Sequence, residues 1–416
     1  MCTGCYIGKD VSADGKTIVG RSCDLSHDKN TITNIVCSPR IENKPGRKIQ
    51  AIESKIQYEY PATTYKCVNS PIAPVTDYGT LTSIGLNEYG LVVSGTVTAY
   101  NCKEIQDIDP FLPDGICEET LPDYIGKTCK DPKEAIDFIE KTMAEKGNYS
   151  ANSLIVANQE EAWLIELYSG HQWAAIKLPT DKVCVYGNMF MIQTEYVMDD
   201  PSQFRYSKDL FEMPKKAGIA VETDGKMNLT ETYGGKGRIE DYSNIRTHMG
   251  HYFLAKSTSI EYKTSNRYPL FFDPDKKVGL KDVFELYRYR YEGTQYCPED
   301  NGRDDIRLIG TESQFNVHVL QIDHDAKPEM SSVAWIALGN CEHSIFLPYS
   351  NLISEVDKRY DHFDELSKNL KAGKYLNDKE GRPILYNENI AQVCYKRLSL
   401  IAEHDRKIYG KGVRDF

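Results

Sequence analysis

The chain has 416 residues, room for one large or two ordinary domains with a sizeable core, and its 61 acidic side chains outnumber 50 basic ones for a net charge of −11. That balance lacks the basic footprint of a polyanion binder, so nucleic acid is not an expected partner. No run is long and apolar enough for a transmembrane span, and the first residues lack the basic and apolar regions of a signal peptide, so a cytoplasmic protein without a membrane partner is expected.

The chain opens with a cysteine directly after Met1. Removal of Met1, which a side chain as small as cysteine permits, would leave an α-amine and a thiol on one residue. The amine has a reference pKa of about 7.7–8.0 and the thiol about 8.5, so near neutral pH a good share of the amine is free to take the thiol proton. Residues 2–8 form a mostly apolar run, 10–15 (DVSADG) are turn chemistry, and 17–22 (TIVGRS) are a second strand-like run. Antiparallel pairing then returns Arg21 and Asp24 to the side of Cys2, where a guanidinium and a carboxylate would orient the amine and hold the thiolate. The same pattern also describes an ordinary edge hairpin with a solvated Arg/Asp pair.

Twelve cysteines are scattered along the chain, with one close pair, Cys2 and Cys5, at C-x-x-C spacing. No second pair and no nearby histidine completes a tetrahedral set, so a metal is not expected and most of the others read as reduced, buried small hydrophobes.

Residues 30–75 read as mixed strand and loop punctuated by prolines, and 80–99 as a second hairpin around the turn Asn87-Glu88-Tyr89-Gly90. Asp131, Pro132 and Glu134 form a helix start, Ala135, Ile136, Ile139 and Met143 share one face, and Gly147 ends the helix. Runs at 153–157, 162–167 and 172–178 form a three-strand meander. His171 and Trp173 follow its second turn and read as packing or capping residues, since a nucleophile carrying its own base needs no histidine. The apolar run 183–187 ends at Asn188, whose amide could donate to an oxyanion or serve a structural turn. Beyond residue 200 the chain is more charged. His248 and His251, one helical turn apart, read as a partly buried polar patch sooner than as ligands. Late strands are expected at 311–320 and 332–338, the latter central, and helices at 351–375 and 388–409.

Several segments carry a family resemblance. Cys2-Thr3-Gly4, G-K-D-x-S-A-D-G, T-I-V-G-R-S-x-D and Gly85-Leu86-Asn87-Glu88-Tyr89-Gly90-Leu91 resemble the C69 dipeptidases, N-terminal-nucleophile hydrolases related to choloylglycine hydrolases and penicillin V acylase. Gly115-Ile116-Cys117-Glu118-Glu119, Ser169-Gly170-His171-Gln172-Trp173, Gly187-Asn188-Met189-Phe190 and Tyr291-Glu292-Gly293-Thr294 continue it in the family's order. The resemblance implies an α+β fold, the αββα sandwich of two antiparallel sheets between helical layers, over residues 1–350, with 351–416 a helical extension packed on the same domain. It also implies a cysteine-type dipeptidase without cofactor, with Cys2, Arg21, Asp24 and Asn188 catalytic and Arg246 at the substrate. Small peptides are the expected partners, and the protein is expected to be a homo-oligomer. An N-acyl amide or bile-salt-like acylase of the same mechanism, and a silent relative acting as a binding protein, remain alternatives. Three departures stand out: Cys23 where the dipeptidases commonly carry an acidic residue, Val97 where the choloylglycine branch has asparagine, and an end at Phe416 that suggests a shortened form.

Overall fold

The computed structural model describes residues 1–24, 32–51, 54–73, 81–118, 120–361, 376–377, 383–384, 390–406 and 408. Strands β1 (Cys2–Ile7) and β2 (Thr17–Asp24) form the opening hairpin, followed by β3 (Ile32–Thr33), β4 (Val36–Ser38), β5 (Cys67–Ala73), β6 (Leu81–Asn87) and β7 (Val92–Thr98). Helices α1 (Leu121–Thr128) and α2 (Pro132–Lys146) lead into the meander β8 (Asn152–Ala157), β9 (Ala162–Leu167) and β10 (Trp173–Lys177), then β11 (Val183–Tyr186) and β12 (Phe204–Tyr206). Helices α3 (Asp241–Leu254) and α4 (Leu280–Arg288), strands β13 (Gln314–Ile322), β14 (Ser332–Leu338) and β15 (Leu347–Ser350), and helix α5 (Ala391–His404) complete the framework.

Two antiparallel sheets carry the molecule. The first runs β11-β1-β2-β13-β14-β15, and the second β12-β10-β9-β8-β7-β6-β5-β3, with β4 also on β5. Side chains alternate across a strand, and that alternation sorts the core into three slabs. Between the sheets, Tyr6, Val19, Leu320 and Ile336 of the first meet Ile84, Val92, Ile155 and Leu164 of the second. On the outer face of the first sheet, Ile7, Ile18, Val183 and Val185 pack under Ile245 and Met249 of α3 and Val283 and Leu286 of α4. On the outer face of the second, Val93, Leu154, Val156 and Ile165 pack under Ile125 of α1 and Ile136, Ile139 and Met143 of α2. Helix, sheet, sheet and helix are therefore stacked in four layers, the expected αββα arrangement.

Local signals explain the elements. Asp131 caps α2 by accepting from Glu134 N at 2.9 Å, Pro132 fills the first helical turn, and Gly147 at φ 71° leaves the helix in a conformation other residues avoid. The four apolar side chains expected on one face of α2 are all buried. Gly90, at φ 80°, makes the turn between β6 and β7. β14 lies between β13 and β15, inside the first sheet as expected. Helix α5 docks through Gln392, which accepts from Thr33 N at 2.7 Å and donates to Phe315 O at 3.2 Å.

One expectation is corrected. Residues 351–361 form turns, not a helix, because Asp357 accepts from Arg359 N at 2.9 Å and closes the chain locally; 362–375 lie outside the described residues. Among the described residues, no helix is long and apolar enough to cross a membrane.

Candidate active site

β1 is flanked on both sides, so its first residue enters a finished sheet. Register places Cys2 opposite Cys23 and Gly4 opposite Arg21 on β2, with Gly4 also opposite Tyr186 on β11. Residues two apart on one strand share a face, so Cys2, Arg21 and Cys23 meet on one side of the hairpin. Gly4 has no side chain to compete with them; a Cβ there would come within 2.4 Å of the Tyr186 ring. Arg21 leans diagonally toward the strand start, and its Nη2 lies 2.9 Å from Cys2 Sγ. Cys5 faces the opposite side of β1, where Tyr287 donates to its Sγ at 3.3 Å, so Cys2 and Cys5 cannot grip one ion together.

The nitrogen of Cys2 donates to Asn188 Oδ1 at 3.0 Å. The same oxygen accepts from Arg246 Nη2 at 2.8 Å, and Asn188 Nδ2 donates to Thr98 O at 2.8 Å, which fixes the amide's orientation. Asn188 stands just after β11. The segment beyond it is held by the buried carboxylate of Glu166, which accepts from Met191 N at 2.6 Å and Ile192 N at 3.3 Å. Met1 extends the β1–β2 ladder by one residue: its ammonium donates to Asp24 O, and its carbonyl accepts from Asp24 N at 2.6 Å.

The sequence-expected residues thus come together, in altered positions for two of them. Asp24 is not on the Cys2 nitrogen; its Oδ2 accepts from Arg307 Nη2 at 2.5 Å, and its Oδ1 is buried without a partner. Arg246, expected at the substrate, stands behind Cys2 and is fully buried. Its five N–H donors go to Tyr242 O, Cys2 O, Thr3 Oγ1, Asn188 Oδ1 and Ser243 Oγ, which leaves none for a ligand.

Charge is arranged around the sulfur. Burial pushes the Cys2 thiol up, but the hydrogen bond from Cys23, the Arg21 guanidinium and the terminal ammonium outweigh it and hold the thiol well below its ordinary value. Cys23 moves the other way, raised by its hydrogen bond to Cys2 and by burial, so the pair keeps one proton on Cys23 and presents a thiolate at Cys2. Burial lowers Arg246 to about 10, and Arg307 adds to the shift, yet it stays charged at neutral pH. His318, opposite Arg21 on β13, is neutral through burial and the Arg21 charge; its Nε2 meets Ser94 Oγ at 2.8 Å.

Thr98, Arg307 and His318 were not anticipated at this site. Only His318, a histidine set between Val317 and Val319 in a strand, carried a visible signal. His171 instead pairs with Asp109 at 2.8 Å, and His248 and His251 pack on Tyr268, with Phe272 against the His251 ring. Beside Asn188 lies a small pocket lined by Tyr100, Met189, Phe190, Arg238 and Glu240.

The sequence pattern described as Peptidase family C69 matches residues 1–375. A protein named "Probable dipeptidase B" from Streptococcus pyogenes serotype M1 is 30% identical over 383 residues, covering 88% of this chain and 74% of that relative. Another of that name, from Lactococcus lactis subsp. lactis (strain IL1403), is 26% identical over 369 residues, covering 86% and 76%. Among solved structures, a C2A mutant of the conjugated bile acid hydrolase from Clostridium perfringens is 11% identical, with a TM-score of 0.40 over 84% of this chain and 92% of that one.

Proposed function

From a chain that belongs to peptidase family C69 and is a peptide-bond hydrolase, we propose a cysteine-type N-terminal-nucleophile dipeptidase in which Cys2, freed of Met1, attacks the scissile carbonyl. The observation that carries this reading is the double grip on one residue: Arg21 Nη2 at 2.9 Å from the sulfur and Asn188 Oδ1 at 3.0 Å from the nitrogen. With Met1 gone that nitrogen is an amine held beside the sulfur, and in its ammonium form it carries the proton that the leaving group needs.

The thiolate adds to the carbonyl carbon, and the α-ammonium passes its proton to the leaving amine as the C–N bond breaks. A water, deprotonated by the same amine, then releases the acyl group from the thioester. Asn188 has two N–H bonds on Nδ2 and spends one on Thr98 O; the other, with backbone N–H groups, is proposed to meet the oxyanion. Asp24 acts on the strand end through Arg307, and Arg246 positions Cys2 and Asn188 from behind.

Residues 1–350 are taken as the catalytic domain and 351–416 as its extension, and the protein as a cytoplasmic homo-oligomer; exposed Leu400, Ile401 and Ile408 supply apolar surface for a second copy. A panel of dipeptides assayed beside N-acyl amides tests the reading, with Cys2→Ala as blank. Turnover of dipeptides alone supports it; turnover of acyl amides alone, or of nothing by protein whose mass shows Met1 removed, overturns it.

A further inference from the structure

Position 23 is where this chain carries a thiol and the C69 dipeptidases commonly carry an acidic side chain. That thiol faces Cys2. Met1 and Asp24 exchange both of their backbone bonds, the Met1 ammonium donating to Asp24 O and Asp24 N donating to Met1 O, so they are a hydrogen-bonded pair of the antiparallel ladder. Cys2 and Cys23 are therefore the next, non-hydrogen-bonded pair, in which the α-carbons stand about 4.5 Å apart and the side chains lie closest.

Both backbones are pinned. Cys2 N donates to Asn188 Oδ1 at 3.0 Å and Cys2 O accepts from Arg246 Nη1, while Cys23 is paired on its far side with Asn316 of β13. A disulfide needs α-carbons about 4.4–6.8 Å apart, so the two sulfurs can be joined by side-chain rotation without moving a strand. Cys5 faces the opposite side of β1, against Tyr287, and is out of reach. The pair is also chemically asymmetric. Arg21 Nη2, 2.9 Å from Cys2 Sγ, favours a thiolate there, and the thiolate is the form that a peroxide oxidises. Cys23 keeps its proton while that charge stands beside it; once Cys2 is oxidised to an uncharged species, Arg21 is left to favour the Cys23 thiolate instead.

We propose that Cys2 and Cys23 form a reversible modification site, closed by peroxides into a disulfide that masks the nucleophile and shields it from irreversible oxidation. The proposal rests on the reading of Cys2 as nucleophile. The Cys2 thiolate attacks one peroxide oxygen, the O–O bond breaks, and departing hydroxide leaves a sulfenic acid on Cys2. Cys23 Sγ then attacks the Cys2 sulfur; the S–S bond forms, the S–O bond breaks, and the hydroxide that leaves takes the Cys23 proton as water. The two sulfurs together lose two electrons, which reduce one peroxide, and an added dithiol restores both thiols by exchange.

The test uses protein whose mass shows Met1 removed, wild type beside Cys23→Ser and Cys23→Ala, treated with hydrogen peroxide and then with dithiothreitol. Wild type is expected to lose dipeptide turnover and the mass of two hydrogens, to yield tryptic peptides 2–9 and 22–29 joined through Cys2 and Cys23, and to regain nearly all of its own starting activity on reduction. Each variant, judged against its own starting activity, is expected to regain about tenfold less, with Cys2 carried on to the sulfinic and sulfonic acids. Oxygens added at Cys2 of wild type without the link, a link from Cys2 to another cysteine, or equal recovery by the variants overturns the proposal. If neither variant folds, the wild-type peptide map decides: the joined peptides support the site and their absence overturns it. If wild type cleaves no dipeptide before oxidation, the dipeptidase reading falls, and the same map still decides the disulfide.

Discussion

The low pKa of Cys2 traces to Cys23 and Arg21 on the next strand, and that makes the proposed nucleophile testable against eleven internal controls. Burial pushes Cys5, Cys67 and Cys129 each to about 12, whereas Cys2 is held well below its ordinary value. Iodoacetamide is therefore expected to label Cys2 first, at a rate that depends less on pH than that of those buried thiols, which react only in alkali. Peptide mapping after brief labelling checks it, and uniform labelling would count against the thiolate. Arg21→Ala removes the cation at 2.9 Å from the sulfur, so the thiol should move back up and turnover fall by about 10²-fold or more with circular dichroism unchanged. This part of the site was legible in the sequence because antiparallel pairing fixes who faces whom over 19 residues. Arg307 was not legible, since its place depends on the packing of a distant segment; Asp24 meets its guanidinium 283 residues further on.

At the level of elements, the turn after β11 carries Asn188, and what steadies that turn is a buried carboxylate. Burial raises Glu166 to about 7, from about 4.3 in an unfolded chain. The folded state thus binds this proton more tightly, so the group's contribution to stability is full below about pH 4 and is lost as pH rises through 7. Urea unfolding of wild type should show that loss between pH 4.5 and 7.5. Glu166→Gln, which has no such proton, should show a flatter profile; identical slopes would refute the assignment. Close packing sets a second limit, because a Cβ on Gly4 would strike the Tyr186 ring at 2.4 Å. Gly4→Ala is expected to cost about 1–3 kcal/mol in denaturant melts and to reduce activity by displacing Arg21 or β11. The meander, the second hairpin and α2 were readable from turn residues, caps and periodicity. Residues 351–361 were misread because charged side chains at helical spacing do not make a helix when they close their own turns.

Across the whole molecule, the first strand is an interior strand, and its outer neighbour β11 begins only at Val183. At about 5–20 residues per second, a ribosome needs about 10–40 s to reach that point, so the N-terminus stays unpaired on one side for much of synthesis. Once folding is complete the situation reverses: Met1 is still half exposed, but its carbonyl is bound by Asp24 N and Cys2 is almost wholly covered. An aminopeptidase that must draw the first residues into its own cleft then meets a strand already in use. On the proposed mechanism, activity then depends on a race during translation, and methionine left on after folding should stay on. Folded protein that retains Met1 is expected to resist trimming by a methionine aminopeptidase and to hydrolyse no dipeptide, whereas trimming in urea followed by refolding should restore activity. Rapid trimming of the native protein, followed by mass spectrometry, would show that the site can still be armed after the chain has closed around it.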